Sequence, residues 1–471
     1  MKITLIGYIL IPLAFIFFVL GTRFLYYSLV FFAPFSASAV LNIKSITFGL
    51  QIPYAFAIFF FLRASLDFFK RNPKLPKILL SLFVPIIIFW IICIVSLITP
   101  IVASHKVMVH YPDSSVSYLP LEFKRLHITQ LLYITFTILV MLFTSLFVDN
   151  KKKLYLTIKV LAISSIFVSI WGLYQWIGFY LGWKYPYWIF NNNIGYSQGY
   201  EQTILGIVKR ISSVATEPSK LSEYYSWIFP ILFILNEYQK DKIYRIALIL
   251  SLIVILLSTS TTAYIWLTFF FSLYFIYKIN FVEFLISFKI SKHFLRTFKV
   301  VGIVIIILIL FTLTVYSIFF KSFIDFDIIQ NTISFITTEK FQTHSGVERV
   351  EGFIKSIYIF LQYPILGVGW GSNRSFDLNT TILSNTGILG FLFFWCFILN
   401  IVISLYKKIK NKHLSENERQ LALALLFSIT TGMFSHVIAD PDIISLTMWI
   451  ILGVSVSFLR ITNASRSIKV K

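Results

Sequence analysis

Apolar residues run along this chain in long blocks broken by short polar connectors. About twenty helical residues cross the ~30 Å of hydrocarbon in a bilayer, and many of these blocks are that long. Lipid offers no partner to an unpaired backbone group, so such blocks fold as helices. An outer-membrane barrel would need polar/apolar alternation, and runs such as Val300 to Phe320 have none. The pattern predicts helices near 3–20, 24–41, 46–62, 78–99, 129–148, 155–180, 221–236, 243–257, 262–277, 299–320, 382–406, 421–438 and 443–460. The expected fold class is all-α: a polytopic integral membrane protein of about thirteen transmembrane helices, with 1–471 as a single transmembrane domain.

The connectors divide by charge. Lys and Arg concentrate at 63–77, 150–154, 240–245, 278–299 and 407–419 and in the C-terminal tail. From helix 3 onward these all fall on one side, which the positive-inside rule makes cytoplasmic. The loops 100–128, 181–220, 258–261, 321–381 and 439–442 then face the periplasm of a bacterial inner membrane. The same parity sends the N-terminus outward, with a re-entrant helix 1 or 2 as the alternative. Two outward loops, 181–220 and 321–381, are long and rich in Gly, Asn, Ser, Thr and aromatics. Function is expected there.

Composition narrows the classes further. With 58% hydrophobic and 13% charged residues, the chain carries more apolar surface than a soluble domain could bury. The net charge of +21 sits in short inter-helix loops, so it predicts contact with anionic membrane lipids and no nucleic acid. Cys93 and Cys396 both lie in apolar runs and read as small hydrophobes. Gly21-Thr22-Arg23 is a poor cleavage site, so the first block is expected to be retained. There is no internal repeat, and few ionisable residues sit mid-helix, which weighs against a transporter.

The first long loop ends in Lys209-Arg210-Ile211-Ser212-Ser213-Val214-Ala215-Thr216-Glu217-Pro218. Pro218 suits a first helical turn, and Thr216 or Glu217 suits its cap. A capped interfacial helix with snorkelling cations would explain the segment. The functional reading puts Arg210 on a phosphate and Glu217 in an acid, base or hydrogen-bonding role, with Lys209 and Ser213 beside them as substrate-binding residues. The second loop carries His344-Ser345-Gly346-Val347-Glu348-Arg349, then an amphipathic stretch over 348–362, then Tyr363-Pro364-Ile365-Leu366-Gly367-Val368-Gly369-Trp370-Gly371. Gly367 and Gly369 permit a tight turn or close approach to a ligand. They follow no strand, which argues against a nucleotide loop.

These motifs, in order with Asn385-Thr386-Gly387-Ile388-Leu389-Gly390 opening a helix, resemble the O-antigen polymerase and ligase superfamily, and most closely its Wzy-type polysaccharide polymerases. The motif-bearing match spans roughly 205–400. The resemblance implies a GT-C-like glycosyltransferase that needs neither metal nor cofactor. It would move a growing glycan from undecaprenyl pyrophosphate onto a lipid-linked repeat unit, alongside a chain-length regulator and a flippase. By the same resemblance, Arg210 and Arg349 would hold the pyrophosphate, and Glu217 would position or deprotonate the acceptor hydroxyl. A guanidinium fork grips phosphate bidentately, which suits that role.

One departure separates the chain from the ligases of this superfamily. Where they carry a His-Asn pair, this sequence has Phe376 and Asp377, followed by Asn379. That favours the polymerase over the ligase, which would transfer finished glycan to lipid A core or another acceptor; a lipid-linked oligosaccharide flippase is the further alternative. Asp377, Asn379 and His344 stand as candidate substrate contacts. Asp325-Phe326-Asp327 and Asp440-Pro441-Asp442 have an acid-x-acid spacing, but no His or Glu beside them in sequence, so no metal is expected. His436 and Asp440 are expected at the outward end of one helix, where they could share a cavity. Ser258-Thr259-Ser260-Thr261-Thr262 is either a plain turn or a hydroxyl-lined sugar path. The aromatics from Trp171 to Trp188 read as an interfacial belt.

Overall fold

A computed structural model describes residues 1–71, 77–112, 118–196, 198–204, 208–279 and 344–469. The expected helix near 299–320 and the Asp325–Asp327 pair lie outside these residues, and the side chain of His344 is not described.

The chain opens with β1 (Lys2–Ile3), α1 (Leu5–Leu20) and α2 (Thr22–Phe32). The helix expected over 24–41 stops at Phe32, since Pro34 cannot donate a helical hydrogen bond. Ala39–Ile43 instead forms β2, the centre of an antiparallel sheet between β1 and β3 (Phe48–Gln51). The helix expected from 46 therefore starts later, as α3 (Ile52–Arg71).

Then come α4 (Lys77–Ser96), a turn α5 (Thr99–Val102), and a small hairpin of β4 (Met108–Val109) and β5 (Leu119–Pro120). α6 (Arg125–Phe147) and α7 (Lys151–Leu181) follow, then the single turn α8 (Tyr187–Phe190). A second hairpin, β6 (Thr203–Ile204) with β7 (Val208–Lys209), leads to α9 (Pro218–Gln239), α10 (Lys242–Leu257) and α11 (Thr261–Ile279). The last four helices are α12 (His344–Gln362), α13 (Leu378–Ile409), α14 (Glu416–Ala439) and α15 (Leu446–Lys469).

Among the described residues seven helices are long and apolar enough to span a bilayer, namely α3, α4, α6, α7, α13, α14 and α15. The protein is thus a mostly helical, multi-pass membrane protein. Its centre is α9 packed on α14, with α15 against α6 and α13 against α4. Side chains such as Ile87, Leu132, Ile163 and Leu399 form the exposed apolar perimeter that lipid would cover.

Contacts knit each end of the bundle separately. At one end Lys151 pairs with Glu418 at 2.7 Å, Arg460 donates to the Val148 carbonyl at 2.9 Å, and Lys408 donates to Asn463 at 2.6 Å. This is the cationic face. At the other end Ala37 N donates to Val214 O, Ala39 N to Asn192 Oδ1, and Arg374 N to His110 O. This loop face gathers segments 33–51, 100–112, 118–124, 181–196, 198–204, 208–217 and 363–377, and β1 places the N-terminus on it too.

α12 is amphipathic, but the face it turns to the protein is made of Gly352, Ser356 and Ile359. Its large apolar residues, Phe353, Ile354, Tyr358 and Leu361, are exposed. In a membrane protein such a face lies against the acyl boundary.

A charged site at the loop-face end of the central helices

Helix α7 sets the height of the site. Its 31 residues give roughly 46 Å at 1.5 Å per residue, more than the hydrocarbon needs. Gln175, near its end, clamps the loop that follows. Its Oε1 accepts from Ser212 N and Ser213 N at 3.0 and 2.9 Å, and its Nε2 donates to the Tyr200 carbonyl at 3.0 Å. Ser213 adopts a left-handed φ of 54° and donates its hydroxyl to the Val168 carbonyl at 2.7 Å. Its oxygen therefore serves the loop, and the residue is fully enclosed.

The clamped loop presents Arg210. Its Nε donates to Thr259 Oγ1 at 3.3 Å and its NH1 to Gln202 Oε1 at 3.2 Å. Thr259 belongs to the Ser/Thr patch between α10 and α11, so that patch holds the guanidinium. Burial lowers the pKa of Arg210, opposed by the nearby Glu217 carboxylate. Glu217 occupies the N-cap of α9 with its side chain making no capping bond to a backbone N–H, and Pro218 takes the first helical position. The Glu217 side chain is exposed and accepts from Ser219 Oγ at 3.1 Å. Lys209 lies beneath, 4% exposed, donating to the Tyr200 carbonyl and 5.3 Å from the centre of the Phe179 ring. Burial pulls its pKa down to about 8.

One turn into α9 a second group of charges begins. Lys220 Nζ donates to Asp440 Oδ1 and Asp442 Oδ2, both at 2.7 Å. Glu223 Oε1 stands 3.4 Å from His436 Nε2, and His436 Nδ1 is 3.1 Å from the Asp440 carbonyl. Glu223, His436 and Asp440 are buried, while Lys220 and Asp442 are partly accessible. Burial, with the Glu223 charge, pushes Asp440 up to about 6. Burial also acts upward on Asp442, but Lys220 and Arg374 overcome it and hold that carboxyl below its usual range. Enclosing this many ions costs several kcal/mol each unless they are paired. Ionisable groups inside a membrane protein mark function by default.

Arg374 reaches this group from the loop before α13, and its Nε is buried without a hydrogen-bond partner among the described residues. The loop is held by a kink in α13 at Gly387, where φ is 65° and ψ −166°. Val368 N, Gly369 N and Ile388 N bond to Ser384 O, Asn385 O and Pro364 O, so the Gly-rich motif and the Asn-Thr-Gly motif form one backbone-paired unit. A Cβ at Gly367 would lie 2.4 Å from the Asn385 backbone, and one at Gly369 2.7 Å from Pro100. These glycines serve close chain packing. Asp377 caps α13, accepting from Thr380 N at 2.9 Å, and Asn379 accepts from Trp395 Nε1 at 3.1 Å. Arg349 is exposed on α12, 5.5 Å from the centre of the Phe376 ring.

The fold thus brings Arg210 and Glu217 together, and sets Lys209 and Ser213 in the loop beneath them. His436 belongs to the neighbouring charged group. Arg349 is linked through Phe376 to the loop that carries Arg374. Sequence reading missed Gln175, Lys220, Glu223 and Arg374. Glu223 could have been noticed as an acid inside a predicted apolar helix; the others carry no local signal. No family model matches this chain, and no curated protein matches it.

Proposed function

We propose that this protein is a polymerase of bacterial surface polysaccharide, such as O-antigen, capsule or exopolysaccharide, acting from the inner membrane with its loop face in the periplasm. It transfers a growing glycan from undecaprenyl pyrophosphate onto a lipid-linked repeat unit. The observation that carries this reading is Arg210, fixed by Gln202 and Thr259 beside an exposed Glu217 carboxylate at the mouth of a membrane bundle.

The acceptor hydroxyl oxygen bonds to the donor's anomeric carbon as the bond from that carbon to the pyrophosphate oxygen breaks. Glu217 takes the hydroxyl proton. The leaving pyrophosphate gains negative charge, which Arg210 offsets from a fixed position, and Arg349 supplies a second cation. A guanidinium already held by two protein oxygens does not have to reorganise in the transition state.

A strain lacking the protein should show surface glycan collapsed to a single repeat unit. In a complemented strain, Arg210→Ala and Glu217→Gln should each cut chain extension by about 10²–10³ at normal protein level, the cost of losing a transition-state partner. Normal ladders in both variants and in Arg349→Ala would end the proposal. Full-length glycan left on the carrier lipid in the deletion strain would assign a ligase instead.

A further inference from the structure

We infer that Glu223, His436 and Asp440 form a binding site for a divalent transition-metal ion of the zinc class, joining α9 to the loop-face end of α14. The inference does not depend on the glycosyl-transfer reading.

The three side chains offer one imidazole nitrogen and two carboxylate oxygens, all within 4.8 Å of one another. His436 and Asp440 are four residues apart at the end of α14, and Glu223 faces them from α9. The tautomer of His436 follows from its surroundings. A backbone carbonyl only accepts, so the contact of Nδ1 with Asp440 O at 3.1 Å puts the proton on Nδ1. Nε2 then turns its lone pair toward Glu223 Oε1, which has no hydrogen-bond partner among the described residues on a side chain buried to 6% exposure. Trp227 Nε1 also donates to Nε2, a long hydrogen bond of 3.4 Å that an ion at this position would displace.

Two acceptors aimed at each other call for a cation between them, and their spacing says which kind. A charge-assisted hydrogen bond between imidazolium and carboxylate would draw N and O to about 2.7–2.9 Å. Zinc–ligand bonds of about 2.0–2.1 Å in a tetrahedron set neighbouring ligand atoms about 3.3–3.4 Å apart. The observed 3.4 Å matches the metal.

The surrounding groups fit as well. A histidine ligand commonly donates its other N–H to a carbonyl, as Nδ1 does here. Asp440 Oδ1 is held by Lys220 and by Asp442 N at 3.0 Å, which leaves Oδ2 as the donor to metal. The Lys220 charge is answered by Asp442 at 2.7 Å. A divalent ion would offset the charges of Glu223 and Asp440, both buried, whose enclosure is costly without a partner. His with two carboxylates suits zinc or manganese better than magnesium, which prefers oxygen alone.

The test uses the full chain in detergent, purified without a polyhistidine tag and stripped with a chelator. Equilibrium dialysis against Zn(II), read by elemental analysis, should give one ion per chain. His436→Gln and Glu223→Gln should each weaken binding by at least tenfold. Co(II) added to the unsubstituted chain should give the visible absorption of a four-coordinate site, a readout that survives if the variants fail to fold. Zinc content no higher than in the double variant, or no such Co(II) absorption, would overturn the inference.

Discussion

Lys209 buries an ammonium under the loop that carries Arg210, and this makes the loop sensitive to alkali. Its pKa of about 8 lies below the ordinary lysine value of 10.5. Between those values the unfolded chain binds a proton that the folded chain has lost, so stability rises with pH there, by up to about 1.4 kcal/mol per unit. The expected outcome is a Tm deficit of the native protein relative to Lys209→Met at pH 7.5 that closes by pH 10. A difference independent of pH would contradict the burial cost. At this scale the sequence shows what local context carries: Arg210, Glu217 and Pro218 stand within nine residues, and their types declare a cation, an acid and a helix start. Asp440-Pro441-Asp442 has only His436 close by in sequence, and its other companions come from elsewhere. Lys220 and Glu223 are more than two hundred residues away in sequence, and only the packing of α9 on α14 delivers them. Arg374 arrives by a loop whose course depends on the α13 kink.

That kink shows how an element can hide a motif's purpose. Gly387 has φ and ψ values open to glycine alone, and a Cβ there would lie 2.2 Å from the Ile365 carbonyl oxygen. Gly387→Ala should therefore destabilise the protein by more than about 3 kcal/mol, as strain and a backbone clash combine. Gly178→Ala, in the last turn of α7 with its nearest neighbour at 3.5 Å, serves as the mild comparison in the same thermal-melt series. Equal melting of both would show that the loop can shift aside. The long apolar helices were legible from block length alone. The sheet β1–β2–β3 was not: Ala39–Ile43 is apolar enough to extend a helix, and it becomes a strand through pairing with residues on either side of it. Boundaries failed where tertiary pairing competes with hydropathy.

At the scale of the whole molecule the bundle has two chemically distinct ends. Single cysteines at position 217 and position 152, in a chain with Cys93 and Cys396 replaced by Ser, should react with a membrane-impermeant maleimide from opposite sides of the membrane. Glu217→Cys should label in intact cells and Lys152→Cys only after permeabilisation. Labelling of both in intact cells would break the assignment of faces. On the proposed function, the outward-turned apolar stripe of α12 has a consequence for how a lipid-borne donor would be met. Such a donor diffuses in a plane, with its phosphates held at one depth by the hydrocarbon below. A helix seated at the acyl boundary would work as a depth gauge, keeping Arg349 level with that plane, while α7 sets the height of Arg210. Under the proposed function the two cations would thus be referenced to different things, one to the bilayer and one to the protein, and membrane thickness itself would become a variable that decides whether both meet the same diphosphate.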